Sequence, residues 1–300
     1  MLWLIVTISS YFLFAIVALI DKYLLGGRIP SPKVYAFYVG ILGIWALVLI
    51  PLGFLIPEPL IIVLSLFAGA IFIISLFAFF YTLSLFEASR VVPAIGGFLP
   101  LFAFVLTYLF SSGKETLSFP EIIAFLLLVL GSVIITWQRS KNISLKSLQI
   151  SALAALLGAL AFVLIKHVYL FQPFWSGLIW MRIGGFLGAG FFLFSKEVRE
   201  EIFIKRISFK PKTAGIFLFD QLMGSGAGLL QNWAIFLAPL AYVAIITALQ
   251  GVEYVFLLIF AVLLSLKFPK ILKEEVSREI LLQKIVAILL IGGGLTLLAI

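Results

Sequence analysis

The chain reads as an all-α membrane protein with ten transmembrane helices in two inverted five-helix repeats. Three observations predict this. AVILMFWYC supply 64 % of the 300 residues, and Asp, Glu, Lys and Arg only 11 %. The apolar residues fall into ten runs, each near the roughly 20 residues a helix needs to cross hydrocarbon. The halves also resemble each other. At an offset of 144, Lys22 falls on Lys166 and Gly40 on Gly184, within the matching segments 20–43 and 164–187. Toward the ends of the halves, the segment from Gly131 rhymes with that from Gly294. Five spans per half is an odd number, so the second half inserts upside down relative to the first.

The predicted spans are 1–25, 34–56, 59–86, 91–112, 119–138, 147–170, 174–195, 213–237, 239–265 and 281–300. Turn residues separate them. Gly26-Gly27-Arg28-Ile29-Pro30-Ser31-Pro32 follows the first span, and Pro57-Glu58-Pro59 joins the second to the third. Ser111-Ser112-Gly113-Lys114-Glu115 ends the fourth, and Arg139-Ser140-Lys141-Asn142 the fifth. The long polar stretches are 196–212 and 267–284. The second has apolar residues at helical spacing, and Glu274 and Arg278 form an i,i+4 pair. It is expected to lie on lipid headgroups as a helical extension, and 198–209 likewise. The N-terminus has no basic stretch or small-residue cleavage site, so it reads as an uncleaved first span. The repeats are predicted over 1–140 and 146–300.

This composition excludes much chemistry. There is no cysteine, so no disulfide, thiol catalyst or iron–sulfur cluster. A single histidine, His167, excludes a His-rich metal site. No GxxxxGK[ST] motif supplies nucleotide-driven transport, and no HExxH or GxSxG supplies hydrolase chemistry. No cofactor and no resident metal are expected. The net charge of +8 would suggest nucleic acid in a soluble protein. Here membrane orientation explains it, because basic residues collect in cytoplasmic loops. Lys and Arg favour one alternating set of loops by 18 to 2, counting Lys114 and Lys166 as the minority, and Arg182 lies inside a span. The bias puts both termini outside the cytoplasm. The expected partners are the lipid bilayer and a small-molecule substrate, with room for a homodimer.

The polar residues inside the spans carry the chemistry. Glu253 is expected at the centre of the ninth span, where a charged side chain costs roughly 3 kcal/mol unless paired or wet. It reads as a proton or substrate-cation site, or as a structural hydrogen bond. Gln250 lies one turn before it on the same face, and Tyr254 follows it. Arg182 can bind an anionic substrate or pair structurally with an acid. Asp220 can pair with Arg182 or line a vestibule. Gln231 and Asn232 bridge helices or bind substrate. Trp45, Trp180 and Trp233 can pack or stack on a substrate. Asp21, Lys22, Glu87, Arg90 and His167 read as interfacial. Gly224 to Gly228 and the glycines at 184, 185, 188 and 190 read as close helix contacts. Pro93, Pro100 and Pro239 sit where they can kink spans.

Leu109-Phe110-Ser111-Ser112-Gly113-Lys114-Glu115, with Gly131 sixteen residues after Glu115, resembles the EamA family of the drug/metabolite transporter superfamily. Ala248-Leu249-Gln250-Gly251-Val252-Glu253-Tyr254-Val255-Phe256 is similar to that family's penultimate-helix segment. The family often has Glu-Pro where this chain has Glu253-Tyr254, and its loop before the last helix is shorter. The resemblance implies a multi-pass protein of the inner or plasma membrane. It implies movement of small metabolites, amino acids or drugs. Together with the acid inside the ninth span and the missing catalytic motifs, the chain reads as a secondary transporter of a small organic solute, coupled to protons or to an opposing solute, and not as an enzyme. The candidate substrate and coupling residues are Glu253, Gln250 and Tyr254, which lie in the penultimate-helix segment, with Arg182, Asp220, Asn232 and Trp180 added from their positions inside the spans. A lipid-carrier flippase is the alternative, followed by an intramembrane enzyme. Family members usually keep both termini in the cytoplasm, and the charge bias here gives the reverse.

Overall fold

The computed structural model describes residues 1–25, 31–86, 88–137, 144–200, 202, 211–267 and 278–299. The turn at 26–30, Glu87, the segment 138–143 and most of the expected surface helices at 198–209 and 267–284 lie outside the described residues. Among the described residues there are helices and no strands. The chain is an all-α, multi-pass membrane protein. Nine described stretches are long and apolar enough to cross a membrane.

The helices are α1 (Leu2–Leu25), α2 (Pro32–Leu42), α3 (Pro59–Leu85), α4 (Ala88–Phe110), α5 (Phe119–Thr136) and α6 (Leu145–Phe171). They continue with α7 (Phe174–Gly190), the short α8 (Lys196–Arg199), α9 (Pro211–Leu237), α10 (Val243–Ala248), α11 (Gln250–Lys267) and α12 (Arg278–Ala299). Local chemistry sets the starts. Ser31 accepts from the Val34 amide, and Pro32 begins α2. Ser118 and Glu121 form a capping box on α5, and Ser144 accepts from the Ser147 amide on α6. Pro59 opens α3, where a missing N–H costs nothing. α2 and α7 pass into 3-10 turns over Gly43–Leu52 and Phe191–Phe194.

α9 packs against α1, α3 against both α6 and α7, α4 against α6, and α5 against α12. Glycines allow backbone contact at two of these seams. A Cβ built on Gly69 would lie 1.8 Å from the Met181 carbonyl oxygen. One on Gly184 would lie 2.2 Å from the Leu66 oxygen. The expected close contact along α7 is therefore real, and its partner is α3. On α9 the close contact with α1 centres on Ala227, which is fully buried and whose carbonyl accepts from Ser10 (2.8 Å). Gly224 and Gly226 make only ordinary contact with Val17 and Leu13, because α1 presents branched side chains there. At the α5–α12 seam, Gly131 faces Ala287 and Ile291, while Gly294 faces Ala124 and Leu128. Each glycine thus meets the residues three and seven positions before the other.

Lys166 is a correction. It is no loop residue, because α6 runs on to Phe171. Its side chain is 4 % exposed. Nζ donates to the carbonyls of Ile235 (3.0 Å) and Phe236 (3.2 Å), in the last turn of α9. A cation there satisfies orphan carbonyls and complements the negative end of the helix dipole. We predict that Lys166→Met lowers stability by about 2 kcal/mol, the net of lost charged hydrogen bonds and a removed buried charge. Thermal unfolding in detergent checks this, and an unchanged midpoint would refute the capping role. His167, beside it, bonds through Nδ1 to the Val163 carbonyl (2.8 Å) and packs on Phe110.

Candidate functional site

The ninth span is not the continuous helix its hydropathy suggests. It divides at Leu249 into α10 and α11. Side chains from other helices take the carbonyls at the break. Tyr11 of α1 donates to the Ile246 carbonyl (2.7 Å), and Ser132 of α5 donates to that of Ala248 (3.3 Å). Gly251 permits the approach, since a Cβ on it would lie 2.4 Å from the Ser132 Oγ. Interception of the helical ladder by side chains is a recognised cause of such breaks.

The break changes the setting of Glu253, which lies in the first turn of α11. A carboxylate is favoured at a helix N-terminus, where amide dipoles point outward. Gln250 stands within hydrogen-bonding reach of it. Tyr11 and Tyr254 share its surroundings. Gln231 of α9 donates to the Tyr11 hydroxyl (3.5 Å). Tyr254 extends to Gly96 of α4. Glu253, Gln250 and Tyr254 therefore come together, with Tyr11 and Gln231 added from α1 and α9.

Arg182 belongs to a second cluster, between α6, α7 and α9. A Cβ on Gly228 would lie 3.2 Å from its Nη2. Gly228 thus makes room for the guanidinium. Asn232, one turn on, accepts from the Tyr169 hydroxyl (2.9 Å) and donates to the Gly228 carbonyl (2.8 Å). Tyr169 lies close enough to Arg182 for the two to interact electrostatically. Among the described residues Arg182 has no ion-pair or hydrogen-bond partner. The possible Arg182–Asp220 pair does not form. Asp220 precedes Gly228 by eight residues, about 12 Å along the helix.

Asp220 anchors a third cluster, with Asp21 of α1 and Tyr35 of α2. The Tyr35 hydroxyl donates to Asp21 Oδ1 and lies 3.3 Å from Asp220 Oδ2. Gln221 Nε2 donates to Asp220 Oδ2 (3.2 Å) and to the Tyr35 hydroxyl (3.4 Å). The Tyr35 ring is held edge-on by Phe80 and Phe217. Asp21 is thus no purely interfacial residue but part of a polar junction of three helices.

Trp180 stands apart from all three clusters. It stacks on Phe54 and donates to the Leu55 carbonyl (3.0 Å). Trp233 packs on Phe174 and Phe236, and Trp45 is exposed on the surface. Among the described residues no group of three or more His, Cys, Asp or Glu is set to hold a metal. α9 carries members of every cluster: Asp220 and Gln221, then Gly228 and Asn232, then Gln231. Polar residues inside it make it the least apolar of the long helices. Sequence reasoning missed Tyr11, Tyr35 and Tyr169, because a tyrosine in an apolar run reads as packing. The only signal for Asp21 was its place in a helical run continuous with the first span.

No family model matches the chain, and no curated protein matches it. Among solved structures it resembles one described only as "Crystal structure of protein". The TM-score is 0.62 at 16 % identity, over 98 % of this chain and 95 % of that one. At this identity the likeness speaks for the fold.

Proposed function

We propose that the chain is a secondary transporter of a small organic anion, with ten spans in two inverted repeats over 1–140 and 146–300. The observation that carries this reading is Arg182. It is a permanent cation inside a transmembrane helix with no acid partner among the described residues. An unpaired charge at such depth is costly and marks a ligand path by default. A guanidinium fits carboxylate or phosphate with two parallel hydrogen bonds.

The tenth span is α9, whose polar side chains serve the clusters. The repeat is supported by the reciprocal glycine contacts of α5 and α12. It is also supported by packing pairs that correspond when the halves are exchanged: α1–α9 with α3–α6, and α1–α11 with α4–α6. Helices interrupted near mid-membrane are common binding elements in such transporters, and the Leu249 break is one. EamA membership, a site in the cell membrane and termini outside the cytoplasm complete the proposal. Moving Lys166 into α6 leaves Lys114 as the minority-side loop charge, so the bias strengthens.

Uptake of a panel of small organic anions and cations into proteoliposomes tests the reading. Saturable uptake of an anion supports it, and uptake confined to cations overturns the role of Arg182. Glu253 is the coupling carboxylate in this scheme. We predict that Glu253→Gln folds and binds substrate but loses uptake driven by a pH gradient. Normal pH-driven uptake by a stable Glu253→Gln protein would refute that. A lipid-carrier flippase is the second reading. It is favoured by an open, mostly apolar groove between α1, α9 and α11, lined by Ile8, Ser9, Phe12, Leu13, Leu230 and Phe256.

A further inference from the structure

We propose that Asp21 and Asp220, bridged by Tyr35, form a proton-binding site distinct from Glu253, in which the two carboxyl groups hold one shared proton. The inference deepens the transporter reading and rests on it for its purpose. Its geometry stands independently.

Two acids converge on one hydroxyl. The Tyr35 O–H carries a single hydrogen, yet Asp21 Oδ1 and Asp220 Oδ2 both approach its oxygen. The two carboxyls also lie within hydrogen-bonding reach of each other. Gln221 adds amide donors to Asp220 Oδ2 and Tyr35. Asp220 is 0 % exposed, and its Oδ1 is buried without a hydrogen-bond partner among the described residues. A buried carboxylate oxygen left without a donor is costly. Like charges this close do not both ionise readily. One added proton answers both problems. It removes a charge, and it lets one carboxyl donate to the other.

Among the described side chains no cation compensates the two acids. α2 contributes Tyr35 and Tyr38, and α9 contributes Gln221 and Phe217. α3 offers Leu76, Phe79, Phe80 and Leu83. Glu253 of α11 lies within electrostatic range of Asp21. Arg182 lies near Gly228, two turns along α9 from Asp220. Among the described residues the two carboxyls are not joined by a third His, Cys, Asp or Glu that could complete a metal site. A proton needs no coordination shell. Asp21 is partly exposed, four residues before the end of α1, and gives the proton its way in. Asp220 is its buried store.

The test is infrared difference spectroscopy of the purified chain in lipid, titrated with pH and read in the protonated-carboxyl region. It needs no substrate. The wild type and Glu253→Gln are expected to share a protonated-carboxyl signal that Asp220→Asn and Asp21→Asn each remove. Tyr35→Phe keeps both acids and is expected to retain the signal with a shifted titration midpoint, which keeps the test decisive should an Asn variant fail to fold. A signal unchanged in Asp220→Asn, or lost in Glu253→Gln, overturns the assignment. A chain that carries the signal but moves no solute refutes the transporter reading alone. A chain that transports an anion without an Asp220-dependent signal refutes the proton site alone.

Discussion

Replacing Arg182 with methionine is expected to weaken uptake of the proposed anionic substrate severely while leaving the protein as stable as before, or more so. The combination separates binding from structure. An arginine that paired with a buried acid would leave that acid uncompensated when removed, at about 3–5 kcal/mol. Here no such acid faces it among the described residues, and Asp220 is engaged with Tyr35 and Gln221 instead. Removing a charge that costs roughly 3 kcal/mol at mid-membrane relieves a penalty. Loss of a two-pronged salt bridge to substrate should weaken uptake on the order of 100-fold, as for other desolvated charge pairs. Arg182→Lys keeps the charge without the fork and should fall between. Gly228→Ala puts a methyl group against the mobile end of the guanidinium, so it should fold and change affinity. Proteoliposome uptake and thermal unfolding measured on the same samples decide the matter. A destabilised Arg182→Met protein with normal uptake would end the anion-site proposal.

Gly69→Val should be the most damaging single substitution at a helix seam. The added Cβ would meet the Met181 carbonyl oxygen at 1.8 Å and the Gly185 nitrogen at 2.7 Å. Both are backbone atoms, so no rotamer change relieves the clash. α3 and α7 must move apart, losing the dispersion contacts that hold helices together in lipid. Overpacking of this kind costs about 3 kcal/mol or more, which corresponds to a fall in the unfolding midpoint of about 10 °C. Gly190→Ala is the control, since a Cβ there meets nothing within 4 Å. Equal midpoints for the two variants would show that the seam is not tight.

The helices were legible in the sequence because lipid imposes one simple rule. Every span must be apolar and about as long as the membrane is thick. The expected bounds of α1, α3, α5, α6 and α9 accordingly lie within a few residues of those observed. The break at Leu249 was not legible. It is caused by Tyr11 and Ser132, which lie far away in sequence. Lys166 misled for a related reason. A lysine near the end of an apolar run reads as interfacial, and only its tertiary partners, the carbonyls of Ile235 and Phe236, identify it as a cap. Glu253 and Arg182 stood out because charge inside hydrocarbon is conspicuous. The clusters around them were hidden, because their remaining members are tyrosines, glycines and amides whose roles depend on what faces them.

The polar loading of α9 bears on how the protein is made. As the proposed tenth span, a helix carrying Asp220, Gln221, Gln231 and Asn232 enters the membrane at a disadvantage, since an aspartate alone opposes insertion by about 3 kcal/mol near the centre. Its partners are already synthesised when it emerges. Ser10 of α1 donates to the Ala227 carbonyl, Tyr11 receives Gln231, and Tyr35 meets Asp220. Biogenesis of the second half therefore leans on the first. In the proposed ten-span arrangement, the C-terminal half expressed alone lacks the surface that holds α9 in place.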